Sequence, residues 1–534
     1  MRRGRTHRFC LHLSLLLLVW MLFAPSVQAD AATSAEPFRV GMEVNYAPFN
    51  WSQTTAENGA VPVVNSPGEY ANGYDVWMAR RIADGLGRPL EIQKIEWDGL
   101  PPALTSGKID AIIAGMSPTA ERKEQIDFTE KYYTSDLVIV VKKEGPFASA
   151  QSLGDFSGAK VTGQLNTFHY TMIDQIPGVL KQEAMDSFPT MMTALDAGTI
   201  DGYISERPGA MAAIAANPRL AMVTFPEGQG FEADPEDTTV AVGLAKGSPL
   251  RESINQILSG IPEQERQQTM DQMVSIQLKS ESEEGEDQPA EGFLASMMSI
   301  WNEYSSLFLR GIAMTLLISL LGTAFGLLIG FAVQIVRTIP VIRKRFRAIP
   351  VRLVQWILTA YVEIFRSTPM MVQAMLIYYG SKQFFNIDMN PLAAGILIVS
   401  INTGAYLAET VRGGIDSVDQ GQFEAAHALG LSHGQKMRYI ILPQAMRAIL
   451  PSIGNELIVN IKDTSVLNVI SVTELFFLTK SVAGSTLQIF PAYMIVALIY
   501  FVLTRLANAI IRVIGQRVNP GSRFEITSVT GTEV

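Results

Sequence analysis

Apolar residues are spread unevenly along the chain. Up to about residue 278 they come in short runs broken by polar segments. Residues 38–42 predict a strand, 74–82 a helix, 91–95 a strand, 100–106 a helix, 109–114 a buried strand and 137–141 another strand. The pattern restarts with a strand at 160–162, a helix over 190–197 and a strand at 202–204. A last strand at 239–244 precedes a closing helix over 251–258. Such alternation predicts layered α/β structure with a mostly parallel sheet. Two α/β lobes joined by two crossing segments fit this order. Ligands of such sheets sit beyond the carboxyl ends of the strands, here across an interlobe cleft.

After Trp301 the pattern becomes that of a membrane protein. Residues 311–336 carry no charge, 353–380 are interrupted by Glu363 and Arg366, and 389–408 are again uncharged. Residues 448–473 carry Glu456, Lys462 and Asp463, and 481–504 close the series. The expectation is an all-α membrane domain of five transmembrane helices over 300–518, each apolar stretch being long enough to cross a bilayer. Arg337, Arg343, Lys344, Arg345 and Arg347 place the loop after the first span in the cytoplasm. Arg512 and Arg517 put the C-terminus on the same side, the parity that an exported N-terminal domain plus five spans requires. Charges at membrane depth need a partner or water. Glu363 with Arg366, and Glu409 with Arg412, stand three apart and read as pairs that hold helix register, or as lining of the path. Gly322, Gly326 and Gly330 form a stripe suited to close helix packing.

Residues 1–29 read as an export signal. Arg2, Arg3, Arg5 and Arg8 precede the apolar run 9–23, and 27–29 offer a small-residue cleavage site. Cys10, the one cysteine, lies inside this segment, so the mature chain would have no disulfide or thiolate metal site. Residues 279–295 form an acidic linker, read as a tether that keeps the 37–278 domain concentrated at the membrane. It also supplies part of the net charge of −9, which therefore says little about partners. No basic, aromatic surface for nucleic acid is evident. No cofactor or metal is called for.

The chemistry of the soluble half lies near its strand ends. Residues 40–49 read VGMEVNYAPF, followed by Gly73-Tyr74-Asp75, Trp97-Asp98-Gly99-Leu100 and Gly107-Lys108-Ile109-Asp110. Then come residues 114–122, AGMSPTAER, and Asp127-Phe128-Thr129. This ordered series resembles the polar amino acid-binding proteins of ABC importers, and implies a two-lobe, periplasmic-binding-protein-like domain. An α-amino acid carries a carboxylate and an ammonium group. Arg122 can pair bidentately with the carboxylate. Ser117 and the backbone N–H groups around Gly115 and Thr167 add donors. Glu206 stands at the position that faces the ammonium, where the family more often has aspartate. Tyr46, Phe49 and Trp97 match aromatics that pack on the ligand side chain, though core packing is the plainer role for Phe49. Glu43 and Gln164 match positions that choose the side chain. A negative Glu43 disfavours glutamate and aspartate, so glutamine or a basic amino acid is expected. His169 reads as a polar loop residue.

Between two membrane segments, residues 424–443 read EAAHALGLSHGQKMRYIILP. Helical runs on either side of Gly430 and basic residues on the exposed face predict a cytoplasmic docking element. Pro443 is read as the end of the second run. The order resembles the EAA loop of ABC importer permeases of type I, which implies that Glu424, Ala425, Ala426 and Gly430 couple to an ATPase. The runs 363–369, 404–412 and 462–465 resemble the same permeases.

A fused importer subunit follows: no catalytic residues, a free amino acid as ligand, a separate ABC ATPase chain because no G-x-x-x-x-G-K-[ST] is present, and a permease homodimer. An amino-acid-gated channel or a receptor with a two-lobe sensor is the alternative. Channels of that kind split the domain around the pore and need a carbonyl filter. Here the domain is contiguous and no such filter occurs.

Overall fold

The computed structural model describes residues 36–226, 228–282, 293–339, 345–486 and 488–518. The export signal, Cys10, Arg343, Lys344 and most of the acidic linker lie outside the described residues.

Residues 36–282 build two lobes. In lobe 1 the sheet order is Leu90–Lys94, Phe38–Met42, Ala111–Ile112, Thr239–Leu244 and Asp127–Thr134. The first three strands are parallel; the last two join antiparallel. Lobe 2 repeats the plan with Leu180–Lys181, Lys160–Thr162, Gly202–Glu206, Leu137–Lys142 and Leu220–Val223. The chain thus crosses between lobes twice, after Thr134 and after Val223. A small antiparallel sheet, Asn45–Tyr46 to Tyr70–Asn72, folds over lobe 1. The strands read as apolar runs because both faces are covered, which is the parallel-sheet condition; all six residues of Thr239–Leu244 are buried. The expected strand over 109–114 is buried except at Asp110, which is half-buried, and only Ala111–Ile112 pair as strand. After the closing helix Leu250–Ser259 a second helix, Glu263–Ser282, carries the chain on, and residues 279–282 of the acidic stretch continue it.

The C-terminal half is helical. Among the described residues three helices are long and apolar enough to cross a membrane, Phe293–Arg337, Pro391–Asp416 and Ile489–Val518, and a bent pair makes a fourth if it counts as one span. The second stretch, expected as one span over 353–380, is broken: Arg345–Ser367 ends and Met370–Phe385 begins after Pro369. Proline biases the residue before it out of the helical region, which explains the break. The fourth stretch leaves α-helix at Asp463, winds as a tight 3-10 turn through Ile470, and turns at Ser471 with φ 60. Leu475–Thr486 follows at about 60°. Ser481 belongs to that short helix, not to the last span, which starts at Ile489.

The glycine stripe packs within the chain. A Cβ on Gly322 would strike Val399; on Gly326 it would lie 2.8 Å from Thr403 Cβ, and on Gly330 2.8 Å from the Ala408 nitrogen. The first membrane helix and Pro391–Asp416 are thereby held backbone to backbone. Beneath this contact Asn460 donates to Thr323 at 2.8 Å and to Thr403 at 3.0 Å. Glu409 pairs with both Arg412 and Arg337 at 2.7 Å. Glu363 and Arg366, in contrast, form no ion pair among the described residues. Both are exposed, and Arg366 lies over the Tyr406 ring at 5.6 Å.

Candidate functional site

The cleft between the lobes is nearly filled by its own side chains, leaving about 10 Å³ of free space, the scale of a single water molecule. Nine of the ten anticipated residues line it: Glu43, Tyr46, Trp97, Gly115, Ser117, Arg122, Gln164, Thr167 and Glu206. Phe49 does not. It is fully buried behind Tyr46, stacked on it at 5.1 Å and set edge-on to Tyr133 at 5.7 Å. Phe49 therefore acts as a backing for Tyr46.

Local structure places each group. Glu43 emerges where strand Phe38–Met42 ends, at the carboxyl edge. Gly115 has φ +64, and a Cβ there would stand 3.0 Å from the Tyr46 ring, so only glycine lets the loop approach. Asp75 secures that loop from behind. It accepts from Tyr132 Oη at 2.6 Å and Asn50 Nδ2 at 2.8 Å, and from the Gly115 backbone. Thr119 caps helix Ala120–Gln125, accepting from the Arg122 backbone. This presents the Arg122 guanidinium to the cleft. Asp127 pairs with Lys246 at 3.1 Å and not with Arg122.

The lobes meet around the pocket. Arg122 donates to the Ser117 carbonyl at 2.9 Å and across the cleft to the Asn166 carbonyl at 3.0 Å, with Trp97 beneath it at 5.1 Å. Asn166 donates to Asp98 at 2.8 Å. Tyr46 donates to Glu206, and its ring stacks on Phe188 at 4.5 Å. Tyr46 and Arg122 in lobe 1 thus reach partners in lobe 2. The longer glutamate at 206 turns toward Tyr46 and toward His169, whose Nε2 lies 3.4 Å away.

His169 is not a polar loop residue. It is buried in the short helix Phe168–Met172 and lines the pocket. Phe188 was also missed. A lone histidine and a phenylalanine carry no spacing signal; only tertiary contact identifies them.

Burial sets the electrostatics. It pushes the Glu206 carboxyl up to about 8. It does the same to Glu43, aided by Glu96 and opposed by Lys480. Glu43 is thus largely protonated near neutral pH, so it does not repel acidic ligands as a fixed charge would. Burial, and then the charge of Arg122, depress His169 to about 3, leaving a neutral imidazole. Burial lowers Arg122 to about 10, still cationic at neutral pH. The cleft therefore holds one cation and two proton-holding carboxyls.

At the other end of the chain, helix Gln420–Ala428 ends in Leu429 and Gly430, with φ +70 at the glycine. Gly430 N donates to His427 O at 2.9 Å and Leu431 N to Ala426 O at 3.1 Å, the paired bonds of a Schellman ending. Ser432 and Gln435 cap the next helix reciprocally. Pro443 does not end that run. A wide turn, Met437–Ile441, precedes it, and the helix continues to Asp463. Proline has no N–H to donate, and an i→i+5 turn is one way a helix absorbs that loss. Ala426 is buried; Glu424, Ala425 and Gly430 are exposed, beside Leu429 at 76% and Tyr439 at 63% exposure.

Residues 38–274 match the model of the bacterial extracellular solute-binding proteins, family 3. Residues 347–520 match that of the binding-protein-dependent transport system inner membrane component. The chain is 38% identical over 212 residues to the glutamine transport system permease protein of Escherichia coli, covering 40% of this chain and 92% of that protein. To the arginine transport system permease protein of Bacillus subtilis it is 33% identical over 195 residues, covering 36% of this chain and 84% of that protein. A crystal structure of an amino acid ABC transporter substrate-binding protein from Streptococcus pneumoniae, bound to L-arginine, aligns at 27% identity with a TM-score of 0.39, covering 45% of this chain and 94% of that one.

Proposed function

This chain belongs to the ABC importers of polar amino acids, a family 3 solute-binding domain fused to an inner-membrane permease, and on that premise we propose how its parts work. The extracytoplasmic domain captures glutamine or a basic amino acid. Arg122 and Ser117 take the carboxylate; Glu206, with Tyr46 and His169, takes the ammonium; Glu43 and Gln164 face the side chain. A protonated Glu43 can donate to an amide oxygen, and an ionised one can pair with a cation. The ring of Trp97 closes the pocket's edge.

The membrane domain crosses the bilayer five times, the broken second stretch and the bent fourth each counting once. Two copies enclose the path, which the exposed Glu363, Arg366, Lys462 and Asp463 support, since charges at membrane depth need cover. A separate ATPase docks on the face carrying Glu424, Leu429 and Tyr439. Domain boundaries at 37–278, 279–295 and 300–518 follow this division, with 1–29 as the export signal.

The observation that carries the reading is the convergence of Arg122, Glu206 and Glu43 from two lobes on one small buried cleft. Calorimetry of the full chain against the twenty amino acids tests it. Glutamine, arginine or lysine is expected to bind tightly, and tight glutamate binding with none of these would overturn the assigned ligand class.

A further inference from the structure

The two lobes are held on the membrane domain in unequal ways. Lobe 1 is anchored at several points. Lys94 donates to Ser481 and lies over the Phe477 ring at 5.2 Å. Lys108 pairs with Asp388 at 2.9 Å and stands over Tyr378 at 3.7 Å. Arg310 donates to the Pro67 carbonyl. Lobe 2 touches the membrane domain through Asp186 and through helix Phe188–Ala197, which meets Ile489–Val518.

One membrane-domain side chain reaches both lobes. Lys480 Nζ lies 2.6 Å from Glu96 in lobe 1 and 3.8 Å from Asp186 in lobe 2. Both carboxylates adjoin the cleft. Glu96 immediately precedes Trp97, and the Asp186 carbonyl accepts from Gln164 Nε2 at 3.3 Å. Opening the lobes about an anchored lobe 1 would leave Glu96 in place and carry Asp186 away. The Lys480 side chain is only 14% exposed, so a lost carboxylate partner is not readily replaced by water.

We propose that Lys480 is the positioning residue through which the membrane domain reads lobe closure, its ammonium being satisfied by Glu96 and Asp186 together only when the cleft is shut. The reading rests on the amino acid-binding role assigned above. It makes the loaded form the one that seats fully, because the second contact exists only after closure. Since any contact made only in the closed form must by linkage tighten the ligand, the inference has a readout beyond transport.

The test uses the full chain in detergent with glutamine and arginine as probes. Lys480→Met is expected to weaken binding of the accepted probe about fivefold. Asp186→Asn is expected to do the same, and the double variant to be no worse than either. Unchanged affinity in Lys480→Met or Asp186→Asn would mean that Lys480 is a plain anchor for lobe 1, and so would additive losses. If the wild-type chain binds neither probe, the assigned ligand class fails instead. A stability cycle on Lys480→Glu with Asp186→Lys then decides the inference: rescue of the melting temperature by the swap supports it, and no rescue overturns it.

Discussion

The ligand cleft and the cytoplasmic loop both announce themselves by motif, yet they are opposite kinds of site. The cleft is self-contained: Glu43 is 5% exposed and Glu206 3%, and Tyr46 and Arg122 already reach partners across the lobes. The loop is more open: Glu424 is exposed, and so are Leu429 and Tyr439, the latter with Arg438 over its ring at 5.6 Å. A site for a small molecule can be built from one polypeptide because the ligand is enclosed. A site for a second protein chain must leave its contact surface bare. The same contrast runs through the membrane half, where Glu409 is paired inside the chain and Glu363 is not.

The largest effect lies in the cleft. Arg122→Ala removes the one cation facing the ligand carboxylate. Removing one member of a buried charge pair costs about 2–5 kcal/mol, so amino acid affinity is expected to fall at least about a hundredfold by calorimetry. Arg122→Lys keeps the charge but loses the fork, and about a tenfold loss is expected. An Arg122→Ala chain with wild-type affinity would break the contrast, since ligand binding would then not depend on the cation that the cleft encloses.

At the loop the effect is smaller and shows in a different measurement. Gly430 sits at φ +70 with open space around the position of a Cβ, so Gly430→Ala meets no neighbour and costs only backbone strain, about 1–2 kcal/mol. Uptake and ligand-stimulated ATP hydrolysis in proteoliposomes are expected to drop about tenfold, while binding stays at the wild-type value. A change in ligand affinity as large as the change in uptake would mean that the two regions are not separable.

The sequence made the two sites legible to different depths for physical reasons. Motif order located Arg122, Ser117, Glu206 and the Gly430 turn, because charge-assisted pairing and positive φ demand those residue types. Phe49 was assigned to the cleft by its match to an aromatic position of the family, yet it packs in the core: an apolar ring satisfies both settings equally. His169 escaped because a single histidine has no periodicity. The membrane spans were legible as apolar mass but not as geometry. Pro369 breaks a stretch that composition presents as one, and the packing partner of the glycine stripe is set by Val399 and Thr403, about seventy to eighty residues away in sequence.

The finest distinction concerns protons in the cleft. Burial lifts Glu206 from its ordinary 4.5 to about 8. Glu43 rises likewise, with Glu96, Asp98 and Asp186 adding to burial and Lys480 opposing. Between 4.5 and 8 the folded domain keeps protons that the unfolded chain has released, so this stability is present at low pH and is lost as pH rises through about 8. His169, lowered from 6.5 to about 3, acts in the opposite direction, but only below 6.5. From pH 6.5 to 8 the carboxyls act alone, and the melting temperature of the ligand-free domain should fall, with Glu206→Gln reducing the slope. Binding runs the other way. An ammonium at Glu206 needs the ionised form, so ionisation of that one group raises affinity about fivefold from pH 7 to 8 and adds nothing further above it. Glutamine, which can accept from a protonated Glu43, releases one proton near pH 7 and loses affinity above about pH 8, where Glu43 ionises. Arginine, pairing its side chain with an ionised Glu43, releases two and shows twice the slope. Equal slopes for the two amino acids, measured calorimetrically in buffers of different ionisation heat, would remove Glu43 from the choice of side chain and leave that choice to Gln164.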